Sequence, residues 1–359
     1  MRKFLLIGQF PPPRHGVSVI NEILSEELQE YYDVDCYDYR FSYGLKDIGS
    51  ANSFKKIVMY LKHLVVLLFK VLINRYDYIY FTPNVRGGVF YRDLLVVMLL
   101  KISFSDIFLH LHGLGIKDNM PKKHWRFFYK IMFSGNHILH VSKKVLDEEF
   151  SECEFGEKSL SYLNNSVNLD VADRICKSGN PDHKVVVHMS NFRPSKGVMD
   201  VLKTYQGLKK VLPSCELIMI GSFTSDSFEA EVKHYIKSNG LEDICFTGFL
   251  DAKSKISHLS CADLFLYPSY DDSFGLVVLE AQALGLPVVC YDIGSMLQIV
   301  NPKTGVVCEV GRSECLLESS QDILLSDSEK TLDWEFLREY DVTTYTARLV
   351  EIMERNCEG

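Results

Sequence analysis

The run Pro268-Ser269-Tyr270-Asp271-Asp272-Ser273-Phe274-Gly275-Leu276-Val277-Val278-Leu279-Glu280-Ala281-Gln282-Ala283-Leu284-Gly285-Leu286-Pro287-Val288 links one strand to a helix and that helix to the next strand. Apolar Leu264 to Tyr267 precedes it as a strand. A polar, glycine-containing loop follows, and a short helix carries Glu280 before Gly285 and Pro287 stop it. Asp272 falls in the loop and Glu280 in the helix, an offset that puts both acids near one cleft wall. Backbone N–H groups near Gly275 and Leu276 suit phosphate oxygens, and Glu280 suits ribose hydroxyls. The plainer reading of Glu280, a helix-surface acid, sits poorly with its apolar flanks.

The same rhythm of short apolar runs and longer helical periods extends through the chain, the pattern of parallel sheets with helices on their faces. In the first half the runs Lys3 to Gly8, Val34 to Tyr39, Tyr78 to Phe81, Ile107 to His112, His137 to Val141 and Ser159 to Leu163 read as strands. Turn-forming Ser178-Gly179-Asn180-Pro181-Asp182 interrupts the pattern, and strands resume at Lys184 to Met189, Glu216 to Ile220, Ile244 to Thr247, Leu264 to Tyr267 and Pro287 to Tyr291. The fold class is therefore α/β with two doubly wound domains, whose ligand sites belong at the carboxyl ends of the strands. The expected limits are 1–178, 179–335 and a helical carboxy-terminal segment, 336–359, packing across the domains.

Two more strand-to-helix junctions stand out. Gly8-Gln9-Phe10-Pro11-Pro12-Pro13-Arg14-His15-Gly16 follows the first strand, with prolines stiffening the loop and Gly16 permitting close backbone approach; it lacks G-x-G-x-x-G, and a rigid connection explains it equally well. Ser190-Asn191-Phe192-Arg193-Pro194-Ser195-Lys196-Gly197 places two cations at a helix start, where positive charge opposes the helix dipole. An anionic ligand such as a diphosphate explains that placement, with Arg193 as a fork and Lys196 as a point charge.

The chain has 359 residues, 47% hydrophobic and 24% charged, and a net charge of -8, which argues against disorder, a multispanning membrane protein and a nucleic-acid partner. Charge is uneven: residues 53 to 130 hold 13 basic and 4 acidic residues among many Leu, Val, Phe and Tyr. Lys55, Lys56, Lys62, Lys70 and Arg75, then Lys122, Lys123, Arg126 and Lys130, lie among these apolar residues and suit an anionic membrane surface; amphipathic helices covering the sheet are the plainer account. The ten cysteines form no C-x-x-C pair and read as largely buried thiols in a reducing compartment. The opening apolar run is too short for a signal peptide, so the expected location is cytoplasmic. Asp33-Val34-Asp35 matches D-x-D, but two acids flanking a valine at a strand start are common, and no Cys/His cluster has zinc-site spacing, so neither a metal nor a cofactor is expected.

The run from Pro268 to Val288 resembles the E-x7-E motif of the large retaining glycosyltransferase family with the GT-B fold, glycosyltransferase family 4. That motif usually reads E-G-F-G, apolar residues, then E-A-x-A-x-G-x-P-V. The resemblance extends from about residue 4 to about residue 350. Arg193 and Lys196 look like the family's donor-phosphate clamp, and Phe246-Thr247-Gly248-Phe249-Leu250 resembles its loop beside the base. His112 resembles its active-site histidine, and Asn165-Ser166-Val167-Asn168 is a loose form of N-G-V-D. This implies two Rossmann-like domains facing a central cleft. It also implies transfer of a sugar from a nucleotide diphosphate sugar to a hydroxyl acceptor with retention, the leaving phosphate helping to take the acceptor proton. By the same resemblance, His112, Arg193, Lys196 and Asp272 are catalytic, while Gly16, Gly248, Phe249, Phe274, Gly275, Leu276 and Glu280 bind the donor. Resemblance to the family's bacterial surface-polysaccharide members suggests a lipid-linked glycan acceptor and peripheral attachment at the inner membrane face.

Three departures mark the match: Asp272 is one methylene shorter than the usual Glu, His15-Gly16 stands where two glycines are common, and Ser166 replaces the N-G-V-D glycine. Two other functions fit the same architecture, a nucleotide-sugar epimerase and a noncatalytic nucleotide-sugar-binding partner of a membrane assembly.

Overall fold

In a computed structural model the described residues are 1–12, 16–41, 53–151, 154–170, 183–326 and 330–357, with the side chains of 53–55 left aside. His15 and the turn from Ser178 to Asp182 lie outside them. Among the described residues, twelve strands form two wholly parallel sheets of six. The first contains β1 (Lys3–Gly8), β2 (Asp33–Asp38), β3 (Tyr78–Phe81), β4 (Asp106–Leu111), β5 (His137–His140) and β6 (Ser159–Tyr162), in the order β2-β1-β3-β4-β5-β6. The second contains β7 (Val185–Met189), β8 (Glu216–Ile220), β9 (Ile244–Gly248), β10 (Leu264–Tyr267), β11 (Val288–Tyr291) and β12 (Val306–Cys308), in the order β12-β11-β10-β7-β8-β9. Eleven of these strands match the apolar runs read from sequence. Buried parallel strands have both faces covered, so they appear as uninterrupted hydrophobic stretches.

The chain divides into one unit of Met1–Ser166 with Val342–Gly359 and a second of Val167–Asp341. These limits differ from the expected 178/179 and 335/336. The reason is local: the Val167 N–H donates to the Tyr340 carbonyl at 2.8 Å, and Val167 bridges Asp341, closing the second unit where the chain enters and leaves it. The terminal helix Val342–Cys357 belongs to the first unit. Its Tyr345, Leu349, Val350 and Met353 share a core with Phe4, Leu6, Ile20, Leu24, Tyr80 and Phe108.

The opposite face of the first sheet is covered by the helices Ser53–Ile73, Gly87–Leu100 and Lys123–Phe133, with Leu67, Val71, Phe90, Val97, Tyr129 and Phe133 in the core. Helix Ser53–Ile73 is apolar on its outer side too. Ile57, Leu61, Val65, Phe69 and Leu72 are all more than half exposed at helical spacing, and Leu95, Met98, Ile102 and a fully exposed Phe104 lie on the next segment. The Tyr60 hydroxyl ties the two helices by donating to the Arg92 carbonyl at 3.0 Å. No described helix is long and apolar enough to cross a membrane.

The cysteines depart from the expected pattern. Cys308, at the end of β12, and Cys315, in the helix Ser313–Leu325, form a disulfide. Cys36 and Cys245 are exposed because β2 and β9 are edge strands.

Candidate functional site

In the second sheet the chain runs from β7 outward to β9, then returns to place β10 on the other side of β7. The carboxyl ends of β7 and β10 therefore flank the topological switch point, where doubly wound sheets open a crevice. The loop after β7 carries Arg193 and Lys196, and the loop after β10 carries Asp271 and Asp272.

These loops are joined tightly. Gly197 has φ 68°, and a Cβ there would lie 1.8 Å from the Pro268 carbonyl oxygen, so only glycine allows the approach. The Tyr270 N–H donates to the Ser195 carbonyl at 2.9 Å. Lys196 Nζ then reaches the Asp271 carbonyl at 2.6 Å, Asp272 Oδ2 at 3.0 Å and the Tyr267 hydroxyl at 3.3 Å.

Asp272 is fully engaged within the protein. Its Oδ1 accepts the Phe274 and Gly275 N–H groups at 3.2 and 3.0 Å, and its Oδ2 accepts the Tyr267 hydroxyl at 2.6 Å besides Lys196. Burial alone would raise its pKa, but Lys196, Tyr267 and the Phe274 amide outweigh that and hold the carboxyl below the usual range. The Gly275 amide, expected to face phosphate, is thus taken by Asp272. Phe274 is a core side chain whose ring faces Tyr340, and only its amide enters the site. Leu276 opens the short helix Leu276–Gln282 after Gly275, which has φ 86°.

Arg193 Nη2 donates to Asp271 Oδ2 at 3.0 Å, while its buried Nε has no hydrogen-bond partner. A buried guanidinium N–H left unmatched is costly, and an anion would satisfy it. Glu280 Oε1 accepts from Lys255 Nζ at 2.6 Å, both half-buried. Gly248 ends β9 with φ 71°, open space at its Cβ position and its carbonyl accepting the Gly221 N–H at 3.0 Å; the next ring, Phe249, is exposed. Beneath Lys196, His188 is fully buried, with Nδ1 at 2.9 Å from the Leu266 carbonyl and Nε2 at 2.8 Å from Ser190 Oγ. Burial, reinforced by Lys196, lowers its pKa to about 4, so it stays neutral and leaves the local positive charge to the two cations.

Asp271, Lys255, Tyr267 and His188 escaped the sequence reading. Asp271 carries no signal in the sequence, because its partner lies 78 residues away. His188 alone had a sequence signal, a histidine inside an otherwise apolar strand.

In the first unit His112 follows β4, half-buried, its ring 4.4 Å from that of His110, as two residues on one strand face should be. His110 is buried and bonded to the Tyr80 hydroxyl. Burial, then His112 and His140, push its pKa well down. Gly16 is exposed at the first position of the helix Gly16–Glu27.

Residues 173–335 match the family model described as "Glycosyl transferases group 1". N-acetyl-alpha-D-glucosaminyl L-malate synthase of Bacillus anthracis is 31% identical over 143 residues, 39% of this chain and 36% of that protein. The chain thus spans about a third of the length of the curated relatives it matches. Among solved structures, the sucrose-phosphate synthase of Thermosynechococcus elongatus superposes with a TM-score of 0.76 at 15% identity, over 99% of both chains. Anabaena HepE, solved in complex with UDP and glucose, superposes with a TM-score of 0.68 at 17% identity, over 99% of this chain and 100% of that one. The chain therefore has the GT-B fold, and residues 173–335 of its second unit are similar to the group 1 glycosyl transferases.

Proposed function

We propose that the chain moves a hexosyl group from a nucleotide diphosphate sugar to a hydroxyl acceptor with retention at the anomeric carbon. One observation carries the reading: Arg193 and Lys196 converge at the switch-point crevice, and Arg193 keeps a buried N–H without an acceptor. Departure of a diphosphate develops negative charge there, and two positioned cations stabilise that charge more in the transition state than in the ground state. The bound UDP and glucose of HepE support a nucleotide-sugar donor.

In this scheme the leaving phosphate helps take the acceptor proton, and transfer needs no divalent ion. Asp272 acts by holding Lys196, since its own oxygens are bonded within the protein. Glu280 takes the ribose hydroxyls, sharing its carboxylate with Lys255, and Gly248 and Phe249 border the base. His112 and Gly16 are assigned to the donor side through the family resemblance. The acceptor is a lipid-linked glycan of surface-polysaccharide synthesis, and the protein works at the cytoplasmic face of a membrane. The outward apolar stripe of helix Ser53–Ile73, with exposed Lys62 in the same helix and exposed Lys122, Lys123 and Arg126 in the first unit, supports that placement.

The test is a thermal-shift screen against UDP, GDP and ADP sugars, followed by product analysis with each donor that binds. Stabilisation by one donor class and a new glycoside with free nucleotide are expected. No shift with any donor would remove the reading, and an isomerised donor without glycoside would replace it with an epimerase.

A further inference from the structure

At the amino ends of β4 and β5, in the first unit, three residues distant in sequence meet. Asp106 opens β4, His137 opens β5, and Cys357 ends the last helix. Their carboxylate oxygen, imidazole nitrogen and sulfur atoms all lie within 4.8 Å of one another. His112 follows the opposite end of β4, roughly 20 Å away at about 3.3 Å per strand residue, so this cluster is separate from the residues assigned to transfer.

His137 is fixed and pre-aimed. It is 2% exposed, its ring stacks on Phe108 at 4.5 Å and 12°, and its Nδ1 lies 2.8 Å from Ser159 Oγ. In the tautomer that donates Nδ1–H to Ser159, Nε2 carries the free lone pair. That buried Nε2 has no hydrogen-bond partner and sits 3.5 Å from Asp106 Oδ1. A hydroxyl holding the far nitrogen while the near one faces a carboxylate and a thiol is the arrangement by which proteins orient histidine towards a metal.

We propose that Asp106, His137 and Cys357 bind a thiophilic divalent cation of the Zn2+ type, with water as the fourth ligand, and that the ion pins the last helix to the first sheet. One sulfur, one nitrogen and one oxygen donor suit tetrahedral Zn2+ or Co2+ and are poor for Mg2+ or Ca2+. The 3.5 Å between Asp106 and His137 is close to the spacing of two ligands on one such ion, and the Cys357 sulfur, at a helix end, lies within 4.8 Å of both. Lys158 Nζ now sits 2.5 Å from Asp106 Oδ1, on a side chain about half exposed. On binding, the ammonium turns out to solvent and the Cys357 thiol gives its proton to solvent as sulfur takes the metal.

The experiment titrates Co2+ into the metal-free, reduced full chain and reads thiolate-to-cobalt absorption. One Co2+ per chain is expected, displaced by Zn2+ and accompanied by a rise in melting temperature. Cys357→Ser should abolish the absorption, Ser159→Ala should weaken affinity by roughly 10- to 100-fold, and Lys158→Met should tighten it by freeing Asp106. His137→Gln need not be relied on, because Cys357→Ser changes only a helix-end side chain. Absorption that is absent in the wild type, or equally strong in Cys357→Ser, overturns the proposal, as does unchanged or weaker affinity in Lys158→Met.

Discussion

Lys196 Nζ is held 3.0 Å from Asp272 Oδ2, so the cation of one loop is positioned by the acid of another, 76 residues on. The shorter acid at this motif position is therefore part of the frame that aims Lys196.

Asp272→Asn keeps the size of the side chain and removes the charge that holds Lys196. Turnover should fall roughly 10- to 150-fold, the equivalent of one charged hydrogen bond at about 1.5 to 3 kcal/mol. Lys196→Met should cost a similar factor, and the double variant little more, because the two act as one unit. Steady-state kcat/KM of all three variants checks this; fully additive losses would show the pair is not coupled. Asp272→Ala should also lower the urea midpoint, since it strips an acceptor from two amides and the Tyr267 hydroxyl.

Arg193→Ala and Glu280→Gln should each weaken donor binding by roughly 10- to 150-fold with the fold intact. Asp271→Asn should act in the opposite direction. It frees Arg193 from a partly exposed ion pair of about 0 to 1 kcal/mol, so donor affinity should rise by at most about fivefold. Calorimetric titration with the donor found in the screen separates the two signs.

His188 gives a stability dependence on pH. Its folded pKa of about 4 lies below the ordinary 6.5, so the unfolded chain binds the proton more readily between those values. Its contribution is complete above pH 6.5 and is lost as pH falls towards 4, about 2 kcal/mol of it between pH 7 and pH 5. Buried His110 and His140 shift the same way. Urea midpoints at the two pH values should differ less in His188→Gln than in the wild type. An equal difference would place the acid sensitivity elsewhere.

Leu61→Ser, Val65→Ser and Phe69→Ser together should leave stability within about 0.5 kcal/mol per site, because these side chains are already exposed. The same triple variant should lose sedimentation with anionic vesicles. Retained binding would move the membrane contact off this helix.

The sequence made the architecture legible because each buried strand is an unbroken apolar word between turn residues. The exception, β12, has three residues at a sheet edge with Val306 exposed, too short and too one-sided to register. Arg193 and Lys196 were legible as cations at a helix start, where the dipole disfavours them, and Glu280 as an acid between apolar flanks. Their partners were not. Asp271 and Lys255 matter through loops that meet only in three dimensions, and the need for glycine at 197 becomes visible only with the Pro268 carbonyl beside it. The cluster of Asp106, His137 and Cys357 defeats any search by spacing, since its members are brought together by strand register and a helix from the far end of the chain.

The terminal helix that shares a core with Phe4 and Leu6 imposes an order on synthesis. The first unit is begun first and finished last. The ribosome must deliver all of Val167–Asp341, roughly 10 to 35 s of elongation at about 5 to 20 residues per second, before Leu349 and Met353 can cover the waiting sheet. During that interval the second unit can close around its own core, whereas one face of the first sheet is covered only by the helix that carries Ile20 and Leu24, the period in which a nascent chain most needs a chaperone.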